Sequence, residues 1–317
     1  MRPFSFVCLP IPQPALPCAL DMLTRLGERS SGLAVTLLIL LSAGFFGCAG
    51  PAQKSVADWH DAVVAVRDQS ATTFRGVNDL VREAQLKRAA TLGNLKESDF
   101  QAGLDAESVS AWNRALDSLA AYGAALSTLL SPELAGGVGD SAKGLGESIA
   151  TSSKSEVFQN QPGLASALGK LGGKLTSLVA VQSAKSVMAQ TDKAVNEVLD
   201  QMARMINDDS GGKESGIYQT VHANWTLQAD ELRQEFLKAQ TPADKRDVAA
   251  RYAAVLEQRD AADAALLGLR RSILELAAAH SRAAGGGSMD TSALIANLRE
   301  QTAFFKGLLT DLKPAQN

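Results

Sequence analysis

Cysteine is almost missing from this 317-residue chain: Cys8, Cys18 and Cys48 are the only three, and none follows Cys48. A mature domain beginning there has no thiol pair for an internal disulfide or a thiolate metal site, so its fold must rest on its core. Aromatic residues are sparse at 5% while Ala, Leu, Gln and Lys abound, a balance that favours helices over sheets. Histidine is rarer still. His60, His222 and His280 form no Glu-x-x-His, His-x-x-x-His or Cys-x-x-Cys-His arrangement, so bundle metal and haem sites lack their usual ligands and no cofactor is expected. Neither a Gly-x-Ser-x-Gly elbow nor a phosphate-binding loop occurs, and Ser141 and Ser183 each stand two residues before a lysine, a spacing that fits no nucleophile motif. Catalytic residues are therefore not assigned, and the chain is read as a non-enzyme. A large excess of either charge is missing too. From Cys48 onward 28 basic face 32 acidic residues, which gives no nucleic-acid footprint.

What the sequence does have is one apolar run, Gly32 to Cys48, too short to span a bilayer comfortably. Arg25 and Arg29 precede it, small residues close it, and polar sequence comes after it, which is the layout of an export signal. Gly47-Cys48-Ala49 at its end resembles the signal of a bacterial lipoprotein, although Phe45 and Phe46 are bulkier than that pattern prefers. The resemblance covers about residues 22–50. It implies that Cys48 becomes the lipidated, palmitate-bearing first residue and tethers the protein to membrane. With Ala49 next, and not the aspartate associated with inner-membrane retention, it further implies the outer membrane, facing the periplasm. Ordinary cleavage after Ala49 and a retained anchor are the other readings of the same residues. Met22 makes a more ordinary signal start than Met1, so residues 1–21, with their five prolines, read as a mis-annotated extension.

Beyond a tether at 48–54, nearly every segment of 55–312 repeats apolar residues at alternating three- and four-residue steps. Val56, Trp59, Val63, Val66, Ser70, Thr73, Val77, Leu80 and Ala84 form the first stripe. Others run from Val109 to Leu130, Val138 to Ile149, Leu164 to Leu178, Val181 to Met205, Tyr218 to Leu232, Val248 to His280 and Leu294 to Leu312. Such stripes place one apolar face on each helix, and their seven-residue recurrence is that of helices packed side by side with slight supercoiling. The expected class is all-α: an elongated antiparallel bundle with coiled-coil-like packing, its longest helices about 60 Å. Thr241-Pro242 marks a helix start, Asp208-Asp-Ser-Gly-Gly212 a turn, Gly285-Gly-Gly-Ser288 a stop followed by a cap at Asp290 or Thr291, and Pro314 lies in a tail, 313–317.

Residues 131–176 are glycine-rich. Gly163–Ala167 and Gly169–Gly173 are small pairs at helical spacing that let backbones approach, which predicts a tightly packed hairpin or, alternatively, a membrane-active tip. A faint echo links Gly76–Val81 with Ala194–Leu199, as a duplicated hairpin or matched amphipathicity would. Trp59, Trp112 and Trp225 sit on stripes and read as core anchors. His280 reads as a partly buried, hydrogen-bonded seam residue, His60-Asp61 as surface polarity, and Arg259 as a side chain that snorkels from an apolar stripe.

These features point to a lipid-anchored envelope protein that acts as a structural or protein-interaction module, with an envelope protein as the expected partner. A small-molecule or metal carrier, or an enzyme built from scattered helix residues, is the competing class. A cavity lined by convergent polar groups distinguishes it. A membrane-active hairpin is the third class, and liposome binding lost on deleting 135–176 distinguishes that one.

Overall fold

A computed structural model describes residues 51–93, 95–100, 102–129, 138–178, 183–209, 215–287 and 291–311. Contacts divide the chain between Cys48 and Ala49. Cys48, residues 1–21, the signal at 22–47 and the tail at 313–317 lie outside the described residues.

The described residues are all-α. Eight helices succeed one another: α1 (Pro51–Leu92), α2 (Ala106–Leu129), α3 (Val138–Ser152), α4 (Pro162–Thr176), α5 (Ala184–Ile206), α6 (Ile217–Lys238), α7 (Pro242–Ala284) and α8 (Ser292–Asp311). Among the described residues the only β feature is a bridge between Asp208 and Ser215, across the turn expected there. None of these helices is long and apolar enough to cross a membrane. α1 begins at Pro51, so the segment expected as a tether is already helical from that residue.

Local chemistry sets the helix ends. The Thr241 hydroxyl accepts from the Asp244 amide at 3.1 Å and donates to the Asp244 carboxylate at 2.7 Å, while Pro242 supplies a φ suited to the first turn. Ser183, beside Lys185, caps α5 by accepting from the Ser186 amide. At the far end of α7, Gly286 takes φ +85°, a conformation that a Cβ disfavours. Thr291 stands at the N-cap position of α8, its carbonyl accepting from the Ile295 amide at 2.8 Å, and its hydroxyl donates across to the Asp58 carbonyl on α1 at 2.9 Å.

α7 is the hub. It packs along α5, α6 and α1, with α8 alongside, and α1 and α5 in turn meet α2. The contacts of α1 and α2 run in opposite order, His60 against Ala120, Arg67 against Asp117 and Asn78 against Leu104. Those of α1 and α8 run in the same order, Asp58 against Thr291 and Gln69 against Gln301. The stripe residues fill the interior: Trp59, Trp112 and Trp225 are all wholly buried. Each such side chain, truncated to alanine, costs about 3–5 kcal/mol. Both halves of the sequence echo bury the same positions, Val77, Leu80 and Val81 in α1 and Val195, Val198 and Leu199 in α5, which matched amphipathic duty explains.

The glycine-rich region forms α3 and α4, packed on each other and against α2 and α5. The close approach is made by different glycines from those the sequence suggested. A Cβ on Gly172 would lie 2.7 Å from the Ala150 amide nitrogen, and one on Gly146 would lie 2.6 Å from the Gly172 carbonyl. Gly173 faces open space, and Gly163 and Gly169 approach only side chains. The expected small pairs are thus corrected to Gly146 and Gly172. Helical spacing finds small residues but cannot tell which face meets a neighbour.

Candidate functional site

Where α1, α2, α5 and α7 converge, each contributes one part of a buried polar network. The α2 stripe turns Tyr122 inward beside Gly123, and the α5 stripe brings Thr191 opposite it at 2.7 Å between hydroxyls. α7 supplies His280, whose Nε2 lies 3.1 Å from the Tyr122 hydroxyl and whose Nδ1 lies 2.8 Å from the Asp192 carboxylate. α1 supplies Trp59, set edge-on to Tyr122 and His280 at centroid distances of 5.5 and 5.2 Å. Its indole N–H points to the Leu276 carbonyl, 3.4 Å away. Tyr122, Thr191 and His280 are at most 1% exposed, whereas the Asp192 side chain is 30% exposed. The network therefore runs from the dry centre to the surface.

Proton inventory fixes its state. The Val187 carbonyl can only accept, so the Thr191 hydroxyl, 2.8 Å away, donates to it. The Asp192 carboxylate accepts from His280 Nδ1–H, and also from Asn196 Nδ2 at 2.9 Å and Ser281 Oγ at 3.0 Å. Burial pushes the His280 imidazolium below its usual 6.5, against the opposing pull of Asp192. Neutral His280 with its proton on Nδ1 leaves Nε2 bare to accept the Tyr122 proton. Three protons then serve four contacts: His280–Asp192, His280–Tyr122, Tyr122–Thr191 and Thr191–Val187. A proton added at Nε2 would fill the fourth by turning the Tyr122 hydroxyl toward Thr191.

Oxygen, imidazole and carboxylate in this order form the sequence of a nucleophile relay. Its chemistry is nevertheless unlike that of an open relay. Burial pushes the Tyr122 phenol well above its usual value, so no tyrosinate forms there, and the hydroxyl is sealed from any substrate. What the arrangement does is hold four helices in one register through directed hydrogen bonds in a low-dielectric interior.

A second histidine–aspartate pair lies nearer the surface, between α6 and α7. His222 Nδ1 is 2.7 Å from Asp263 Oδ2, with side chains 35% and 15% exposed. Burial raises the Asp263 carboxyl above its usual 3.8 although His222 opposes it, and its other oxygen, Oδ1, has no partner among the described residues. Arg259, one turn earlier, reaches out to Asp260 with two bonds of 2.8 and 3.0 Å, the snorkelling geometry. His60 is more than surface polarity. Its Nδ1 lies 3.1 Å from the Ala120 carbonyl, and its Cβ would stand 3.1 Å from a Cβ on Gly123, so it is wedged into the α1–α2 contact.

Two clefts lie between other helices. One, of about 590 Å³, lies between α1, α6 and α7; Ala84, Leu232 and Val255 line it, and the pairs Arg88–Glu231 and Arg251–Glu235 flank it. The other, of about 500 Å³, lies between α1 and α8. Among the described residues no three His, Cys, Asp or Glu side chains converge on a metal position. Sequence reasoning singled out His280 but missed Tyr122 and Asp192. Thr191 and His280, polar on otherwise apolar stripes, were the only signal, and nothing along the chain says that they meet. Compared with family models, with curated proteins and with solved structures, the chain matches none.

Proposed function

We propose that this protein is a lipid-anchored module of the cell envelope, held to the outer membrane through Cys48 and facing the periplasm. There it serves as a structural or protein-interaction element without catalysis, and an envelope protein is its partner. One observation carries the reading: the apolar run that follows Arg25 and Arg29 ends at Gly47-Cys48-Ala49 and gives way at once to polar sequence, the layout of a lipoprotein signal. The helical character of the described residues between 51 and 311 supports it, because helix faces recognise partners through apolar grooves and charged rims without needing reactive groups. So does the Tyr122–His280–Asp192 network, which ties α2, α5 and α7 together through directed hydrogen bonds and favours one rigid arrangement. In this reading the bundle is a scaffold whose outward faces do the work.

Mass spectrometry of the mature protein from a membrane fraction tests the proposal. A diacylated or triacylated N-terminal Cys48 is expected, with loss of both modification and membrane association in Cys48→Ala. An unmodified Cys48 in a protein that remains inside the cell would overturn it.

A further inference from the structure

The cleft between α1 and α8 has oppositely charged walls that do not meet. Asp61 and Asp68, two turns apart on α1, line it from one side; Arg299 and Lys306, two turns apart on α8, line it from the other. Among the described residues no ion pair crosses it. Of the two carboxylates only Asp68 has a cation near it, and that cation is Arg67 on the same helix at 3.7 Å. Register fixes the order along the cleft. Because Asp58 meets Thr291 and Gln69 meets Gln301, Asp61 lies toward one end and Lys306 toward the other. The same register sets Asp68 and Arg299 level with each other between those ends, so acidic charge runs along the α1 wall and basic charge along the α8 wall, with Leu298 and Ala65 as apolar surface between.

Its floor holds a second, independent feature. Gln69 lines the cleft, is 3% exposed, and gives its Nε2–H to Gln301 Oε1 at 2.9 Å. Gln301 in turn donates to Asn297 Oδ1 at 3.1 Å. This ladder of amides leaves Gln69 Oε1 buried with no donor among the described residues. The ladder cannot slide away: Gln301 is seated against Gly268, where a Cβ would lie 2.7 Å from its oxygen. A buried carbonyl without a donor is an unmet demand for an N–H or O–H. The terminal torsion of glutamine is soft, so a small turn presents that oxygen to the cleft.

We propose that this cleft binds a small zwitterion carrying a primary ammonium and an anionic group. The ammonium donates to Gln69 Oε1 and is held by the neighbouring Asp68 carboxylate on the α1 wall; a carboxylate or phosphate lies across the cleft against Arg299 on the α8 wall, with the Thr302 hydroxyl beside it. Such chemistry is supplied either by a free amino acid or short peptide, or by the phosphoethanolamine headgroup of a lipid. The assignment does not depend on Cys48 being lipidated.

Calorimetric titration of the purified full chain tests it, with glycylglycine, with phosphoethanolamine, and with vesicles of phosphatidylethanolamine against vesicles of phosphatidylglycerol. Ethanolamine alone and inorganic phosphate alone are the half-ligands. The zwitterion should bind at least about tenfold more tightly than either half, since each half forfeits one set of charge-assisted bonds. Asp68→Asn and Arg299→Gln change exposed side chains that the core does not need, and each should weaken binding by about tenfold with helicity unchanged. Preference for glycylglycine supports a free solute; binding of phosphoethanolamine together with selective binding of phosphatidylethanolamine vesicles supports the lipid source. Binding of no zwitterionic probe, or binding that Asp68→Asn and Arg299→Gln leave unaltered, overturns the proposal.

Discussion

α7 carries half of two histidine–aspartate pairs, and the two behave oppositely. In the first, His280 is the buried member and Asp192 the one that touches solvent; in the second, Asp263 is the more buried and His222 the more open. Burial depresses the protonation of His280 and promotes that of Asp263, so in each pair the deeper group is pushed toward neutrality. The pairs have nearly equal lengths, 2.8 and 2.7 Å, so distance does not distinguish them. What differs is company. His280 is locked at both nitrogens and backed by Trp59 and Tyr122, while Asp263 keeps an oxygen without a partner among the described residues. The same two side chains make a helix-register lock in one setting and a lightly held surface contact in the other.

The sharpest way to break the comparison is to remove the carboxylates in turn. Asp192→Ala leaves the His280 Nδ1–H buried without an acceptor and should cost about 2–3 kcal/mol in urea unfolding. Asp263→Ala removes a pair open to water on its histidine side and should cost less than about 1 kcal/mol. Equal losses would mean that the network around His280 adds nothing to the pair. Tyr122→Phe comes next, at about 1–2 kcal/mol, because it strips the donor from His280 Nε2 while sparing the packing. A double-mutant cycle with Asp192→Ala should be non-additive, since both act through one imidazole; strict additivity would dissolve the network into separate contacts.

The pH dependence separates the pairs by sign. His280 titrates lower in the fold than its usual 6.5, so its contribution is fully present above about pH 6.5 and is lost as pH falls through the folded value. Asp263 titrates above its usual 3.8, so its contribution is fully present below about pH 3.8 and is lost as pH rises through the folded value. Relative to wild type, His280→Gln should flatten stability just below pH 6.5, and Asp263→Asn should fare progressively better as pH climbs from 3.8. Unfolding titrations at half-unit steps check both, and matching slopes for the two variants would contradict the assignment. The smallest effect expected is His222→Ala, a few tenths of a kcal/mol, which thermal melts should barely register.

Much of the architecture was legible along the chain because amphipathic helices write their buried faces into residue spacing. All nine residues of the first stripe, Val56 through Ala84, are buried, including the polar Ser70 and Thr73. Thr241-Pro242 and the glycines after Ala284 mark the ends of α7 as read. Legibility failed where a residue's partner came from a distant helix. Thr291 takes the N-cap position, but its hydroxyl bond to Asp58 had no sign along the chain; Gly172, passed over for Gly173, makes the close backbone contact; His60 looked like surface and is wedged against α2. Tyr122 was silent, since an aromatic residue beside an apolar stripe gives no sign that its hydroxyl will meet Thr191 from 69 residues away.

Composition and periodicity alone determined that the described residues would be all-α, where most of the buried stripes would run, and that the core would have to stand without cysteine after Cys48. Those outcomes stem from local propensity and the 3.6-residue turn, which act within a few residues of each other. Which helices became neighbours, which of the two His–Asp pairs went dry, and which opposed charges were left facing across the α1–α8 cleft were settled only in three dimensions. A helix carries its stripe in its own sequence, but the rotation and register of one helix against another depend on the joint fit of side chains far apart in the chain.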